Sequence, residues 1–317
     1  MRILLTGGTG FIGSNIVVGY LKDKHEVAVV SNLSYEKRES LNKKAKFYKA
    51  DIRNKEVLEK VFKDFKPEIV NHHAGHTGVK ESVENPVYDA EINIIGSINV
   101  FELAVKCGVR RIIFPSTGGG LYGEPAKLPA NENTPIEPIS PYGVSKYCVE
   151  NYLNYFKRLY GIERVILRYA NVYGPRQEPL GKAGVVEIFT GKILKGETPV
   201  IYGDGTQTCD YIFVEDVVRA NILALHGQEG IYNIGTGTET SVNELIKIIS
   251  KVLGREVKPE YAPPRKWEVK RISLDIGRAK KELGFAPKCS LEEGIRRTIE
   301  WYSERQRDCH ELFDPSQ

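Results

Sequence analysis

The sequence predicts an α/β protein: a doubly wound parallel sheet with a smaller α/β lobe at its C-terminal side. Three observations carry this. Short apolar runs alternate with helical patterns across residues 1–169, the pattern of βαβ units. A glycine-rich turn, Thr6-Gly7-Gly8-Thr9-Gly10-Phe11-Ile12-Gly13, separates the first apolar run from the first helical one. After Arg168 the alternation breaks into short, turn-rich pieces. The expected division is a first domain of residues 1–169, completed by about 211–235, and a second of 170–210 and 236–317.

Composition sets the class. The 317 residues can bury a full core and two lobes. Hydrophobic residues make up 41% and charged residues 27%, as in soluble globular chains. A net charge of +4 without a basic run gives no electrostatic support for a nucleic-acid partner. No apolar run approaches a membrane span, and Met1-Arg2-Ile3-Leu4-Leu5 enters a strand without a signal-peptide pattern. Five scattered cysteines without metal spacing read as reduced thiols, so a cytoplasmic location is expected.

Ile3-Leu4-Leu5 is the first strand, and Ile16, Val17, Tyr20 and Leu21 mark the first helix. Between them, Gly7, Gly10 and Gly13 let backbone approach a pyrophosphate, and the helix start at Phe11 and Ile12 attracts its charge. Dinucleotide binding follows from that context. The second strand, Glu26–Val30, should end in an acid for a ribose but continues with Ser31 and Asn32, with Lys37 and Arg38 nearby. The choice between NAD and NADP is therefore less fixed than the presence of a cofactor. The third strand leads to Asp51 and Ile52, which either hold adenine or begin a helix with Asp51 as N-cap.

The next strand ends in Asn71-His72-His73-Ala74-Gly75-His76. Adjacent histidines point apart on a strand, so no metal site is expected. Ala74 and Gly75 suit close approach to a cofactor. In the helix from Tyr88 to Lys106, Asn93 either ties helix to loop or supports the site. Arg111–Phe114 is a strand that delivers Ser116 and Thr117. Pro141 then opens a helix that stops at Gly161, with Tyr142 and Lys146 on one face. A free phenol, with a pKa near ~10, is a weak base at neutral pH. A neighbouring ammonium favours the phenolate, so the pair reads as a proton-transfer site for an alcohol being oxidised.

Together, Thr6-Gly7-x-x-Gly10-x-x-Gly13, Ser116-Thr117 and Tyr142-x-x-x-Lys146 resemble the extended short-chain dehydrogenase/reductase family. Arg168–Arg176, Tyr202–Thr206 and Tyr232–Gly235 extend the likeness along nearly the whole chain. The resemblance is strongest to the family's UDP-hexose 4-epimerases. It implies a Rossmann-type sheet, bound NAD, a UDP-sugar substrate and a homodimer. It also implies Tyr142 as base, Lys146 as the residue that lowers its pKa and holds the nicotinamide ribose, and Thr117 rather than Ser116 as the assisting hydroxyl. By the same likeness Asn171 and Arg176 lie on the diphosphate side, though Arg176 is also readable as a surface charge. The helix Val185–Leu194, with Val186, lies over uridine, and Arg265 matches a diphosphate arginine, its alternative being a solvated loop charge.

Two departures stand out. Cys209 occupies a position where the family usually has a diphosphate-binding arginine, and Trp267-Glu268 replaces the usual Gly-Asp. Gly118-Gly119-Gly120 stands where dehydratases and decarboxylases of the family carry acid/base carboxylates. Glycine moves no proton, which disfavours dehydration and leaves room for a sugar to turn. The alternatives are another UDP-sugar, a UDP-N-acetylhexosamine or UDP-glucuronate, and a non-catalytic NAD(P)-binding sensor. A last helix from Leu291 to Tyr302 closes the second lobe, with fraying expected after Gln306.

Overall fold

The computed structural model describes residues 1–34, 41–177, 184–265 and 269–311, with side chains to residue 305. The expectations for Lys37, Arg38, Trp267 and Glu268, and for side chains after Gln306, fall outside those residues.

Strand β1 (Arg2–Thr6) leads through the glycine turn into helix α1 (Phe11–Lys22). Strands β2 (Glu26–Ser31) and β3 (Lys46–Lys49) and helix α2 (Lys55–Phe65) follow. The cap of α2 is Asn54, whose side chain accepts the Val57 N–H, so Asp51 does not have the capping role. After β4 (Ile69–His72) come α3 (Val79–Glu84) and α4 (Pro86–Ala90). A π-helical turn over Glu91–Ile95 joins α4 to α5 (Gly96–Lys106). The expected single helix is thus bulged, and such bulges are frequent at functional sites.

Strand β5 (Arg111–Thr117) runs into the short α6 (Gly118–Tyr122). Helix α7 (Pro141–Tyr160) begins under a Ser140 cap and ends at Gly161 in the left-handed conformation. Strand β6 (Glu163–Tyr169) ends the alternation.

The segment read as a loop after Arg168 contains β7 (Asn171–Tyr173). Then come α8 (Val185–Leu194), β8 (Val200–Tyr202), β9 (Thr208–Cys209), β10 (Tyr211–Phe213) and α9 (Val214–Ala224). Strand β11 (Gly230–Ile234) precedes β12 (Thr240–Ser241), α10 (Val242–Leu253), β13 (Glu260–Ala262), α11 (Gly277–Leu283) and α12 (Leu291–Glu311).

The main sheet has seven strands in the order β11-β6-β5-β4-β1-β2-β3, every neighbour parallel. Chain order reverses between β1 and β4, which opens a crevice at their C-terminal ends. One apolar layer packs Ile16, Val17 and Tyr20 of α1 against the sheet with Val217 and Ala220 of α9. The opposite layer packs Leu58, Phe62, Phe101, Leu103, Leu153 and Phe156. A separate core joins α8, α10 and α12 through Phe189, Leu245, Ile249 and Ile295. Three two-stranded pairs, β10-β7, β12-β9 and β13-β8, belong to this second region. No helix among the described residues is long and apolar enough to cross a membrane.

Candidate active site

The glycine turn is closed tightly on the end of β4. Gly7 has φ +69°, and a Cβ there would lie 2.6 Å from the Ala74 nitrogen. A Cβ on Gly13 would lie 2.3 Å from the Gly7 carbonyl oxygen. Helix α1 starts at Gly10 with no side-chain cap and no acid in its first turn. Its first N–H groups, at Phe11, Ile12 and Gly13, therefore stay available to an anion. That bare helix end in the β1/β4 crevice fits a dinucleotide diphosphate.

The adenosine-side residues are arranged differently from expectation. Ser31 Oγ is buried, 2.7 Å from Thr9 Oγ1, and accepts the Leu33 N–H, so it ties the glycine turn to β2. The exposed polar group there is Asn32, which donates to Asp51 Oδ2 at 2.9 Å. Arg53 grips the same carboxylate through both Nε and Nη2 and holds its pKa well below the usual carboxylate range. Ile52 packs under Gly96 on α5.

The three histidines at and after the end of β4 turn to different partners. His72 lies between Thr6 Oγ1 at 2.7 Å and Ser97 Oγ at 2.9 Å. His73 Nε2 faces the Tyr169 hydroxyl at 3.3 Å. His76 Nδ1 lies 3.0 Å from Asp89 Oδ1. Among the described residues no group of three His, Cys, Asp or Glu is placed to hold a metal.

Asn93 is the helix-to-loop tie. Its Oδ1 accepts the His76 N–H at 2.8 Å, and its Nδ2 donates to the His76 carbonyl and to Asp89 Oδ1. Both of its amide hydrogens are spent inside the protein, so its donors hold the loop after β4 in place.

Thr117, Tyr142 and Lys146 converge. Thr117 ends β5, accepts the Gly120 N–H at 3.2 Å and hydrogen-bonds the Tyr142 phenol. Ser116 Oγ, one residue earlier, is buried and meets no partner among the described residues, so it faces away from that phenol. Lys146 Nζ is buried, donates to the Pro115 carbonyl at 3.0 Å, and lies 4.7 Å from the Phe114 ring centre. Its distance to the Tyr142 ring centre is 6.0 Å. Burial pulls Lys146 down to about 8.

The expected depression of the Tyr142 pKa is not seen. Burial raises it, the Asp89 carboxylate adds to the rise, and only the Thr117 hydrogen bond lowers it. Desolvation of the phenolate outweighs an ammonium 6.0 Å from the ring.

The three glycines differ among themselves. A Cβ on Gly118 would strike Leu274, and one on Gly120 would strike Thr117. At Gly119 the nearest atom is Ile272 Cγ2 at 3.7 Å, so that position alone of the three has room for a side chain.

In the second region Asn171 opens β7 and is exposed. Arg176 has φ +77° and is half-buried. Val186 is buried in α8. The Arg265 guanidinium lies 3.7 Å from the centre of the Tyr202 ring. Cys209 is half-buried in β9, faces the Tyr211 phenol, and is paired in register with Thr240. Sequence reading missed Asp89 and its contact with His76, and the buried pairing of Arg168 with Glu150, in which Nε and Nη2 donate at 3.0 and 2.7 Å.

Comparison with known proteins agrees with this geometry. A family model described as the NAD dependent epimerase/dehydratase family matches residues 3–235. A UDP-glucose 4-epimerase of Mycolicibacterium smegmatis is 42% identical over 316 residues, covering 97% of this chain and all of the relative. The crystal structure of Thermotoga maritima UDP-glucose 4-epimerase with UDP-glucose superposes with a TM-score of 0.95 at 48% identity, over 96% of this chain and 100% of that one. That of the Thermus thermophilus UDP-glucose 4-epimerase in complex with NAD gives 0.91 at 43% identity, over 96% and 99%. The chain belongs to the NAD-dependent epimerase/dehydratase branch of the extended short-chain dehydrogenase/reductases.

Proposed function

We propose that this protein interconverts UDP-glucose and UDP-galactose by NAD-dependent epimerisation at the fourth carbon. The observation that carries the proposal is the convergence of Thr117, Tyr142 and Lys146 beside the β1/β4 crevice. The names of the relatives support the sugar. NAD, when bound, supplies the reversible hydride transfer that takes the sugar through its 4-keto form.

The chain's own residues supply the rest. Tyr142 takes the hydroxyl proton and returns it, and the Thr117 hydroxyl orients the same oxygen. Lys146 would hold the nicotinamide ribose, while Ala74 and the Ser116 backbone would line its pocket. The backbone of Gly7, Gly10, Phe11, Ile12 and Gly13 would hold the diphosphate of NAD, and Asn32, Asp51 and Ile52 its adenosine. Asn171, Arg176, Val186, Cys209 and Arg265 would line the uridine diphosphate side. Residues 1–169 and about 211–235 form the cofactor domain in this scheme, and 170–210 with 236–317 the sugar-nucleotide domain. The exposed apolar stripe Val144, Tyr147, Tyr155 and Leu159 on α7, beside Val87 and Ile95, is assigned to a homodimer contact.

Incubating the purified protein with UDP-galactose and assaying UDP-glucose tests the reaction. Conversion is expected. No conversion of UDP-galactose, with turnover of UDP-N-acetylglucosamine or UDP-glucuronate, would reassign the sugar. Failure with every UDP-sugar while NAD is still bound would favour a sensor.

A further inference from the structure

Residues 174–177, which follow β7, are tied down on both sides of Arg176. Before it, the Gly174 N–H donates to Glu187 Oε1 at 2.9 Å, and the Pro175 carbonyl accepts Asn15 Nδ2 of α1 at 3.2 Å. After it, the Gln177 carbonyl accepts the Tyr302 phenol of α12. The Gln177 side chain, with its nitrogen turned to the Glu187 carboxyl, donates to Oε1 and Oε2 at 2.8 and 3.1 Å, and its oxygen accepts the Gly184 N–H at 3.1 Å. The opposite amide orientation would set nitrogen against that N–H, so the hydrogen-bond network selects this one. Arg176 itself has φ +77°, a left-handed conformation that a non-glycine residue keeps only where its surroundings hold it.

Of these ties, Glu187 alone reaches both sides of Arg176. It stands in the first turn of α8 and is fully buried. A buried carboxyl needs hydrogen-bond donors to offset its lost hydration. Burial pushes Glu187 up to about 8, and the Gly174 N–H pulls against that rise. The donors it has found are the ones that shape the segment. Gly184 leaves the carboxyl its space, since a Cβ there would lie 3.1 Å from Glu187 Oε2. Gly174 also abuts Val214 of α9, where a Cβ would come within 2.8 Å of Cγ1. The segment is thus joined to α8, which carries Val186, and through Asn15 to α1, whose start fits the cofactor diphosphate.

We propose that Glu187 is a positioning residue for the sugar nucleotide: by holding Gly174 and Gln177 against the start of α8, it sets the backbone of Arg176 and aims that guanidinium at the substrate diphosphate. The proposal rests on the reading of Arg176 given above, and names the group that places it. Glu187 touches neither substrate nor cofactor in this scheme, so its whole effect passes through Arg176. Two residues that act through one contact do not add when both are removed. The diphosphate is remote from the reacting carbon, so the effect belongs to KM and not to kcat.

The test is a double-mutant cycle of Glu187→Ala and Arg176→Ala, with UDP titrated into each protein by calorimetry. Glu187→Ala should weaken UDP binding about tenfold, the low end of the worth of a hydrogen bond to a charged group. The double variant should bind no more weakly than Arg176→Ala alone. In Glu187→Ala the KM for UDP-galactose should rise by the same factor, with kcat and retained NAD near those of the wild type. UDP binding unchanged in Glu187→Ala or in Arg176→Ala would overturn the proposal. So would a Glu187→Ala loss that adds in full to that of Arg176→Ala, which would show a structural role independent of the guanidinium. A wild-type protein that fails to bind UDP would sink the sugar-nucleotide reading and this proposal with it; wild-type binding with any of the preceding results removes the proposal alone. If Glu187→Ala does not fold, Gln177→Ala, which removes only the side-chain tie beyond Arg176, replaces it in the same cycle and is judged by the same outcomes.

Discussion

The Thr117 hydroxyl is hydrogen-bonded to the Tyr142 phenol while it accepts the Gly120 N–H at 3.2 Å. The second bond caps α6 and fixes the hydroxyl where the first needs it. A positioned acid/base group contributes roughly 10²–10⁴-fold to turnover. Tyr142→Phe should lose that much in kcat and still retain NAD, measured by release of the nucleotide on denaturation. Thr117→Val should lose less. Ser116→Ala should stay close to wild type, since its hydroxyl is buried away from the phenol. A Ser116→Ala loss larger than that of Thr117→Val would reverse the assignment.

Lys146 should cost the fold stability at neutral pH. Its pKa falls from 10.5 to about 8 on burial. Below pH 8 it is charged in both folded and unfolded chains, and the folded chain bears the full desolvation penalty. Between about 8 and 10.5 the unfolded chain binds more protons, so stability rises with pH. Above that window both forms are neutral and the penalty is gone. The shift corresponds to about 3 kcal/mol. Lys146→Met should therefore raise Tm at pH 7, inactivate the enzyme, and lose its stability advantage as pH approaches 10. A lowered Tm at pH 7 would mean that the Pro115 hydrogen bond and packing outweigh the buried charge.

Much of this was legible in residue order, and the exceptions share a cause. The first five strands and the glycine turn showed because each is a local pattern of apolar period and φ-permissive residues. Tyr142 and Lys146 showed because a helix turns four residues into one face. Asp89 and His76 meet across a loop and two helix starts, and the π turn that aims Asn93 at them has no periodic signature. The strands β7, β9 and β10 are two or three residues long, too short for alternation to register. The direction of the Tyr142 shift was also beyond reach, because burial is a property of the packed fold and spacing reports only proximity.

The exposed stripe on α7 should be closed by a second copy of the chain. Val144, Tyr147, Tyr155 and Leu159 lie along one side of a helix whose other side is buried as Leu153 and Phe156. An unpartnered apolar stripe of this kind marks an interaction surface. The wild-type protein should sediment at twice the chain mass. Tyr155→Glu with Leu159→Glu should give a monomer of unchanged circular dichroism, because both positions are exposed in the single chain. A wild-type monomer at micromolar concentration would remove the assignment.

Cys209 offers the most direct probe of the substrate diphosphate. In β9 its neighbour Thr208 bonds Glu239, which also holds both Nε and Nη2 of Arg271 at 2.9 Å. A cation is thus nearby but committed to a carboxylate. Cysteine brings no charge-assisted bidentate contact, and a thiolate would repel phosphate. Cys209→Arg should lower KM for the UDP-sugar by roughly ten- to a hundredfold, the worth of a hydrogen bond to a charged group. The effect on kcat should be smaller, since the diphosphate is remote from the reacting carbon and its binding is uniform between ground and transition states. Calorimetric titration of UDP into both proteins separates the possibilities. Tighter UDP binding by Cys209→Arg would place residue 209 against the phosphates. Equal binding would mean that Arg176, Arg265 or Arg271 already fills the role. Weaker binding with a lowered Tm would mean that the Cys209–Tyr211 contact holds β9 in register, so that a larger side chain costs the site its shape.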